Sequence, residues 1–278
     1  MPELPEVETV RLTLKNLIVG KTIEQVIIKY DKMIKGTDSV TFQELLTGET
    51  LQDIGRYGKY LFFHFNKVTL ISHLRMEGKY FIKLNSDSIE KHEHMIFNFT
   101  DSSSLRYHDT RKFGTMELVP INTQLDSSSI MKMGLEPFNV QFNVDYLKTK
   151  IKKSIRPIKS FLLDQNNVSG LGNIYVDEVL FLSKLHPETK ACDLSNADLQ
   201  NIVDASKKVL TKAVELGGTT IRSYLSSLGV TGRFQNELNV HMRQSEPCHI
   251  CQTPIIKLKV GGRGTYICPT CQERKDSR

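Results

Sequence analysis

No apolar run in this 278-residue sequence approaches the ~18 residues that would cross a bilayer, which excludes a membrane-spanning helix of ordinary length. The first twenty residues are acidic and carry no apolar stretch, so no secretory or organellar address is visible and cytosolic residence is the default. No internal repeat is visible. Cysteine is scarce: five residues in all, four of them among the last 31, with Cys192 alone, unpartnered and read as inert. What is there suffices for two domains with real cores, since 39% of the residues are hydrophobic and ~100–200 residues per domain is usual. The formal net charge of +6 is unevenly placed. From His241 onward seven Lys/Arg face three acids, a surplus that suits a polyanion such as nucleic acid.

Apolar spacing at Val7, Val10, Leu14 and Leu17, with Gly20 just beyond, predicts a helix at the N-terminus. The pattern then changes to short β-rich runs at 23–30, 60–65, 69–73, 79–84, 95–99, 104–107 and 115–119, separated by turn formers. Such a series suggests a sandwich or barrel. After a polar stretch at 120–129 the periodicity predicts helices at 144–151, 157–164, 175–182, 196–215 and 220–228. The expected class is α+β and multidomain: a β-rich part at 1–120, a linker at 121–135, a helical part at 136–243 and a cysteine module at 244–278.

The strongest motif is Cys248-x2-Cys251-x16-Cys268-x2-Cys271. Its spacing matches a closed tetrahedral zinc site of four thiolates, structural rather than catalytic, while disulfides are disfavoured in a reducing compartment. Between the pairs, 255–260 and 265–267 read as strands joined by Gly261-Gly262-Arg263-Gly264. An arginine at the tip of such a hairpin suits a DNA groove, and equally an ordinary solvated turn. Gly170-Leu171-Gly172-Asn173 opens a helix whose N–H groups could hold a phosphate, or it serves a tight helix contact. Lys150, Lys152, Lys153, Arg156 and Lys159 upstream add phosphate-seeking charge. In the β half, Gly58-Lys59, His73-Leu74-Arg75-Met76-Glu77-Gly78 and Asp109-Thr110-Arg111-Lys112-Phe113-Gly114 lie at turns. Each suits a solvated loop, yet Met76, Arg111 and Phe113 are side chains that wedge into a base stack.

The chain starts Met-Pro-Glu-Leu-Pro-Glu-Val-Glu-Thr. Proline and glutamates suit the first turn of a helix. A proline in second place also becomes a secondary amine when the initiator Met is removed, and an α-amino group near pKa ~8 keeps a nucleophilic fraction at neutral pH.

Taken together, these blocks and their order resemble the formamidopyrimidine-DNA glycosylases, bacterial enzymes that excise oxidised purines. The resemblance runs from the first residues to the cysteine module. It implies an N-terminal β-sandwich, a helix-two-turns-helix domain and a zinc ribbon with one structural Zn2+ on Cys248, Cys251, Cys268 and Cys271. It implies Pro2 as nucleophile at the sugar C1′, Glu3 as general acid–base, and Lys59 near the lesion and its phosphate. Met76, Arg111 and Phe113 would fill the space of an extruded base, and His73, Lys159, Asn173 and Arg263 would contact DNA. Glu77 and a loop at Ile221, Arg222, Ser223 and Tyr224 would read the flipped base. The partner implied is damaged double-stranded DNA, met by a monomer without a membrane. Two other readings stand beside it: the sister enzyme type for oxidised pyrimidines, which shares the Pro-Glu start, and a zinc-dependent DNA-binding protein without chemistry.

Overall fold

Leu4, Val7, Val10, Leu14 and Ile18 recur at three- and four-residue intervals, and helix α1 (Leu4–Ile18) buries all five. Pro5 costs nothing in the first turn, and the helix opens with a capping box in which the Glu6 carboxylate accepts the Glu3 N–H at 2.9 Å. The structure is a computed structural model that describes residues 1–219 and 232–274. The helix expected at 220–228 lies outside the described residues.

After α1 come β1 (Ile23–Ile28), β2 (Ile34–Lys35), α2 (Ser39–Leu46), β3 (Asp53–Tyr57), β4 (Tyr60–His64), β5 (Val68–His73), β6 (Lys79–Leu84), β7 (Glu93–Phe99), β8 (Ser103–His108) and β9 (Thr115–Pro120). They form a four-stranded sheet ordered β1-β7-β8-β6 and a five-stranded sheet ordered β2-β9-β5-β4-β3. Every pairing is antiparallel except β2 with β9. One buried cluster joins Val7, Val10 and Leu14 of α1 to Val26, Tyr80, Phe97 and Tyr107 of the first sheet and Ile54, Phe63, Leu70 and Met116 of the second. That shared core makes a sandwich. Helix α2 and strand β3 were not expected. Asp38 caps α2 through the Val40 and Thr41 N–H groups, and Phe42 and Leu46 are its two buried positions. Strand β3 has one fully buried residue, Ile54, so its pattern is silent and its state is set by pairing with β4.

The later elements are α3 (Val144–Ile151), α4 (Ile158–Leu163), α5 (Asn173–Leu182), α6 (Asn196–Glu215), β10 (Ile256–Val260) and β11 (Arg263–Ile267). Helix α5 packs against α4, α6 and β11. The hairpin β10–β11 turns at Gly261-Gly262, both at positive φ (54° and 78°), the backbone that a two-residue hairpin turn demands and that glycine adopts without strain. The chain divides into two compact units, Met1–Lys132 with Gly217–Gly232, and Met133–Leu216 with Arg233–Arg278. No helix among the described residues is long and apolar enough to cross a membrane.

Candidate functional site

In the first unit, Pro2 and Glu3 are buried at the entry to α1, with Met1 still joined to the Pro2 nitrogen. The Glu6 carboxylate ties this entry to the far end of the same unit. Its Oε2 accepts the Glu3 N–H, while Oε1 accepts the Thr219 N–H at 2.7 Å and the Thr219 hydroxyl at 3.1 Å.

Lys59 is buried in the turn between β3 and β4, and the strand register sets Tyr60 opposite His73. The two rings meet edge to face at 4.4 Å. Burial, with the Arg75 and Lys59 cations nearby, pushes the His73 pKa down to about 3. Its Nδ1 accepts the Arg75 N–H at 2.9 Å, so the neutral ring carries its proton on Nε2 and offers one donor.

Two loops of this unit hold out apolar side chains. Met76 is 37% exposed and Phe113 51%, and the Arg111 guanidinium lies over the Phe113 ring at 4.6 Å. The second loop is built around Asp109, which has no exposed surface. Its Oδ1 accepts the Arg111 N–H at 2.9 Å, and its Oδ2 accepts the Phe113 and Gly114 N–H groups, each at 2.9 Å. Both loops close on the buried Tyr107 hydroxyl, which a Cβ would meet at 2.2 Å from Gly78 and at 1.7 Å from Gly114. Only glycine permits that approach. Met76 and Arg111–Phe113 are thus presented by neighbouring turns that share one support, with Glu77 half-buried between Met76 and Gly78.

In the second unit, Lys159 departs from the expectation of a DNA contact. It is 0% exposed, and its ammonium reaches Asp177 Oδ1 at 2.7 Å, Thr265 Oγ1 at 2.8 Å and the Gly264 carbonyl at 3.1 Å. Three donors meet three protein acceptors, and a phosphate has no access to the group. The Asn173 side chain donates to the same Gly264 carbonyl at 2.9 Å. Lys159 and Asn173 therefore seat the ribbon turn on the helices, leaving Arg263 beside it exposed. Asp177 also meets His241 Nδ1 at 2.8 Å, and Glu178 accepts the Val240 and His241 N–H groups at 3.0 Å, so α5 organises the approach to the ribbon.

The four ribbon thiols converge, with every Sγ within 4.8 Å of the others and three of the separations between 3.3 and 3.9 Å. Zn–S bonds of ~2.3 Å at tetrahedral angles place sulfurs ~3.8 Å apart, so the set fits one zinc ion with no position left for water. The Ile250 and Cys271 N–H groups donate to Cys248 and Cys268 Sγ, each at 3.4 Å, which favours thiolates. Ile221, Arg222, Ser223 and Tyr224 lie outside the described residues.

Sequence reasoning named Asp109 within a turn block but gave it no role, and passed over Asp177, Glu178 and the bond of Glu6 to Thr219. Asp109 had a local signal, since an Asp that bonds the N–H two residues on makes an Asx turn. The partners of the other three are distant in the chain.

The chain thus joins a β-sandwich with two apolar-tipped turns to a helical unit carrying a four-thiolate ribbon. Residues 1–116 match the formamidopyrimidine-DNA glycosylase N-terminal domain, 133–225 its H2TH domain, and 245–274 the zinc finger found in FPG and IleRS. The formamidopyrimidine-DNA glycosylase of Shouchella clausii is 50% identical over 275 residues, covering 99% of this chain and all of that one. That of Oceanobacillus iheyensis is 47% identical over 276 residues, covering 99% of each. A point mutant of the Lactococcus lactis FPG, solved with Fapy-dG containing DNA, superposes with a TM-score of 0.93 at 44% identity over 98% of this chain and all of that one. The L. lactis Fpg complex with abasic-site DNA gives 0.92, also at 44% identity and the same coverage. The chain belongs to the formamidopyrimidine-DNA glycosylase family, base excision repair enzymes with glycosylase and AP lyase activity.

Proposed function

We propose that this protein excises oxidised purines, 8-oxoguanine and formamidopyrimidines, from duplex DNA and then opens the strand. Once Met1 is removed, the Pro2 nitrogen attacks C1′ of the damaged nucleotide, the C1′–N bond breaks, and the base departs with the proton that the Pro2 nitrogen gives up. Glu3 gives a proton to the ring oxygen as the sugar opens. A secondary amine yields a cationic iminium, which withdraws electrons from C2′ and acidifies its proton. Loss of that proton expels the 3′ phosphate, and a second elimination expels the 5′ phosphate, leaving a one-nucleoside gap.

The damaged nucleotide must leave the stack for C1′ to be reached, and Met76, Arg111 and Phe113 fill the space, offsetting the few kcal/mol of lost stacking. Lys59 and the Nε2–H of His73 hold the flanking phosphate, with Asn173 and Arg263 on the strand from the second unit. Glu77 and the backbone of Ile221, Arg222, Ser223 and Tyr224 read the everted base.

The observation that carries this reading is that Met1, Met76 and Phe113 line one depression of the first unit. The terminus that would bear the nucleophile opens beside the side chains that would displace a base. The relatives support the substrate class, since the L. lactis enzyme was solved with Fapy-dG and abasic DNA. Borohydride trapping on a duplex bearing 8-oxoguanine tests it. The wild type should give a covalent adduct, and Pro2→Gly should give none while binding the duplex within about threefold of wild type, a factor that is small on the scale of 1.4 kcal/mol per tenfold. Preference for thymine glycol over 8-oxoguanine, or full activity in a preparation whose intact mass retains Met1, contradicts the proposal.

A further inference from the structure

The depression that holds Met1, Met76 and Phe113 extends past them. Tyr30, Lys32, Lys35, Arg75 and Lys112 form its far wall, around an open volume of about 600 Å3. Four of the ten lining residues are cations and none is an acid. Among the described residues none of the four cations forms an ion pair. Like charges gathered without a counter-charge raise the energy of the unliganded protein and favour an anion in the cup.

The wall is tied to the wedge. Lys112 Nζ lies over the Tyr30 ring at 5.0 Å, and Tyr30 packs at a tilt against His94, with 5.7 Å between ring centroids. His94 Nε2 bonds the Asp109 carbonyl at 2.8 Å, and Asp109 is the residue whose carboxylate shapes the Phe113 turn. Arg75 and Lys112 each stand immediately before a wedge residue, at φ 52° and 57°, backbone that non-glycine residues adopt only at a cost. Of the groups assigned above to the damaged nucleotide, only the terminus, through Met1, borders this cup; Glu3, Lys59 and His73 do not.

We propose that Lys32, Lys35 and Lys112 bind consecutive phosphodiesters of the strand opposite the lesion. This rests on the glycosylase reading. A side chain wedged into a base stack has a strand on either flank. The lesion strand is held by Lys59 and His73, and the flank bounded by both wedge residues and the three lysines is left for its complement. The role is positioning: the intact strand is gripped while the damaged nucleotide swings out.

The test uses the full-length protein, a Lys32→Ala/Lys35→Ala double variant, and DNA carrying a non-cleavable tetrahydrofuran abasic analogue as duplex and as single strand. Binding is read over a range of salt. Each lost phosphate contact lowers the slope of log affinity on log salt by ~0.9, so the duplex slope should fall by roughly 2, and the duplex-to-single-strand affinity ratio by roughly tenfold. Uncharged methylphosphonates opposite the lesion should weaken wild type by a similar factor and barely affect the double variant; in the lesion strand they should weaken both alike. A wild-type salt slope in the variant, an equal loss on duplex and single strand, or a variant made insensitive to lesion-strand methylphosphonates overturns the proposal. Failure of the glycosylase reading shows up separately, as the absence of any borohydride adduct from wild type.

Discussion

Replacing Asp109 by asparagine changes almost no volume and removes one charge, which makes it a sharp probe of how the Arg111–Phe113 turn, proposed above to fill the space of an everted base, is held. The carboxylate accepts three backbone N–H groups, one on Oδ1 and two on Oδ2, with no solvent to replace it. An asparagine keeps its oxygen on the Phe113 and Gly114 donors and turns its NH2 toward the Arg111 N–H, donor against donor. Hydrogen bonds to a charged acceptor contribute ~1.5–3 kcal/mol, so losing the Arg111 bond alone costs the loop roughly 2 kcal/mol, before any weakening of the other two. Lys112 at φ 57° then has reason to relax, and Arg111 and Phe113 on either side of it move. If the full ~2 kcal/mol is felt when the base is everted, single-turnover excision of 8-oxoguanine slows about 30-fold. Incision at a preformed abasic site, where no base needs displacing, should slow much less. Equal slowing of both steps would place Asp109 in the chemistry instead, and wild-type excision by the Asp109→Asn variant would refute the support argued for it.

Lys159→Met should destabilise by roughly 3 kcal/mol in urea unfolding, because it removes the ammonium paired with the buried Asp177 carboxylate and leaves Oδ1 without that partner, while His241 stays on Oδ2. The salt slope of DNA binding should stay at the wild-type value, whereas a direct phosphate contact would lower it by ~0.9. Cys268→Ser should drop bound zinc below one ion per chain by elemental analysis and weaken DNA binding, since structural zinc supplies folding energy; unchanged affinity would show the ribbon to be dispensable for binding. His73, at about 3 in the folded chain against an ordinary 6.5, binds its proton more readily when unfolded. Its neutral form contributes stability fully present above pH ~6.5 and lost as pH falls toward 3, with a slope of at most ~1.4 kcal/mol per pH unit. His73→Gln should flatten the stability profile between pH 6.5 and 5 relative to wild type, and parallel profiles would contradict the assignment.

Much of the fold was legible locally. The spacing of Val7, Val10 and Leu14 reports one buried helix face, and α3 and α6 fall where their periodicity placed them. The hairpin β10–β11 follows from two glycines between strand-like runs. Strand β3 was missed because a half-buried strand with one apolar anchor has no alternation to read, and α2 because eight residues give barely two turns of pattern. In the site, residue types that face solvent or metal were readable: Met76 and Phe113 are conspicuous as apolar side chains in turns, and four thiols at paired spacing have few other uses.

The amino-acid order by itself determined which faces of its helices would be buried, where four thiols would gather, and that a Pro-Glu pair opens the first helix. Those features depend on neighbours a few residues apart. Only the tertiary structure decided that Lys159 is a buried strut, because its acceptors lie 18 residues away on α5 and more than 100 away on the ribbon. It likewise decided that the loops of Met76 and Phe113 share the Tyr107 hydroxyl, and that Lys32, Lys35 and Lys112 border one cup. A charged side chain in a sequence carries the same signal whether it meets water, a phosphate or a buried carboxylate, and the packing of distant segments makes that choice.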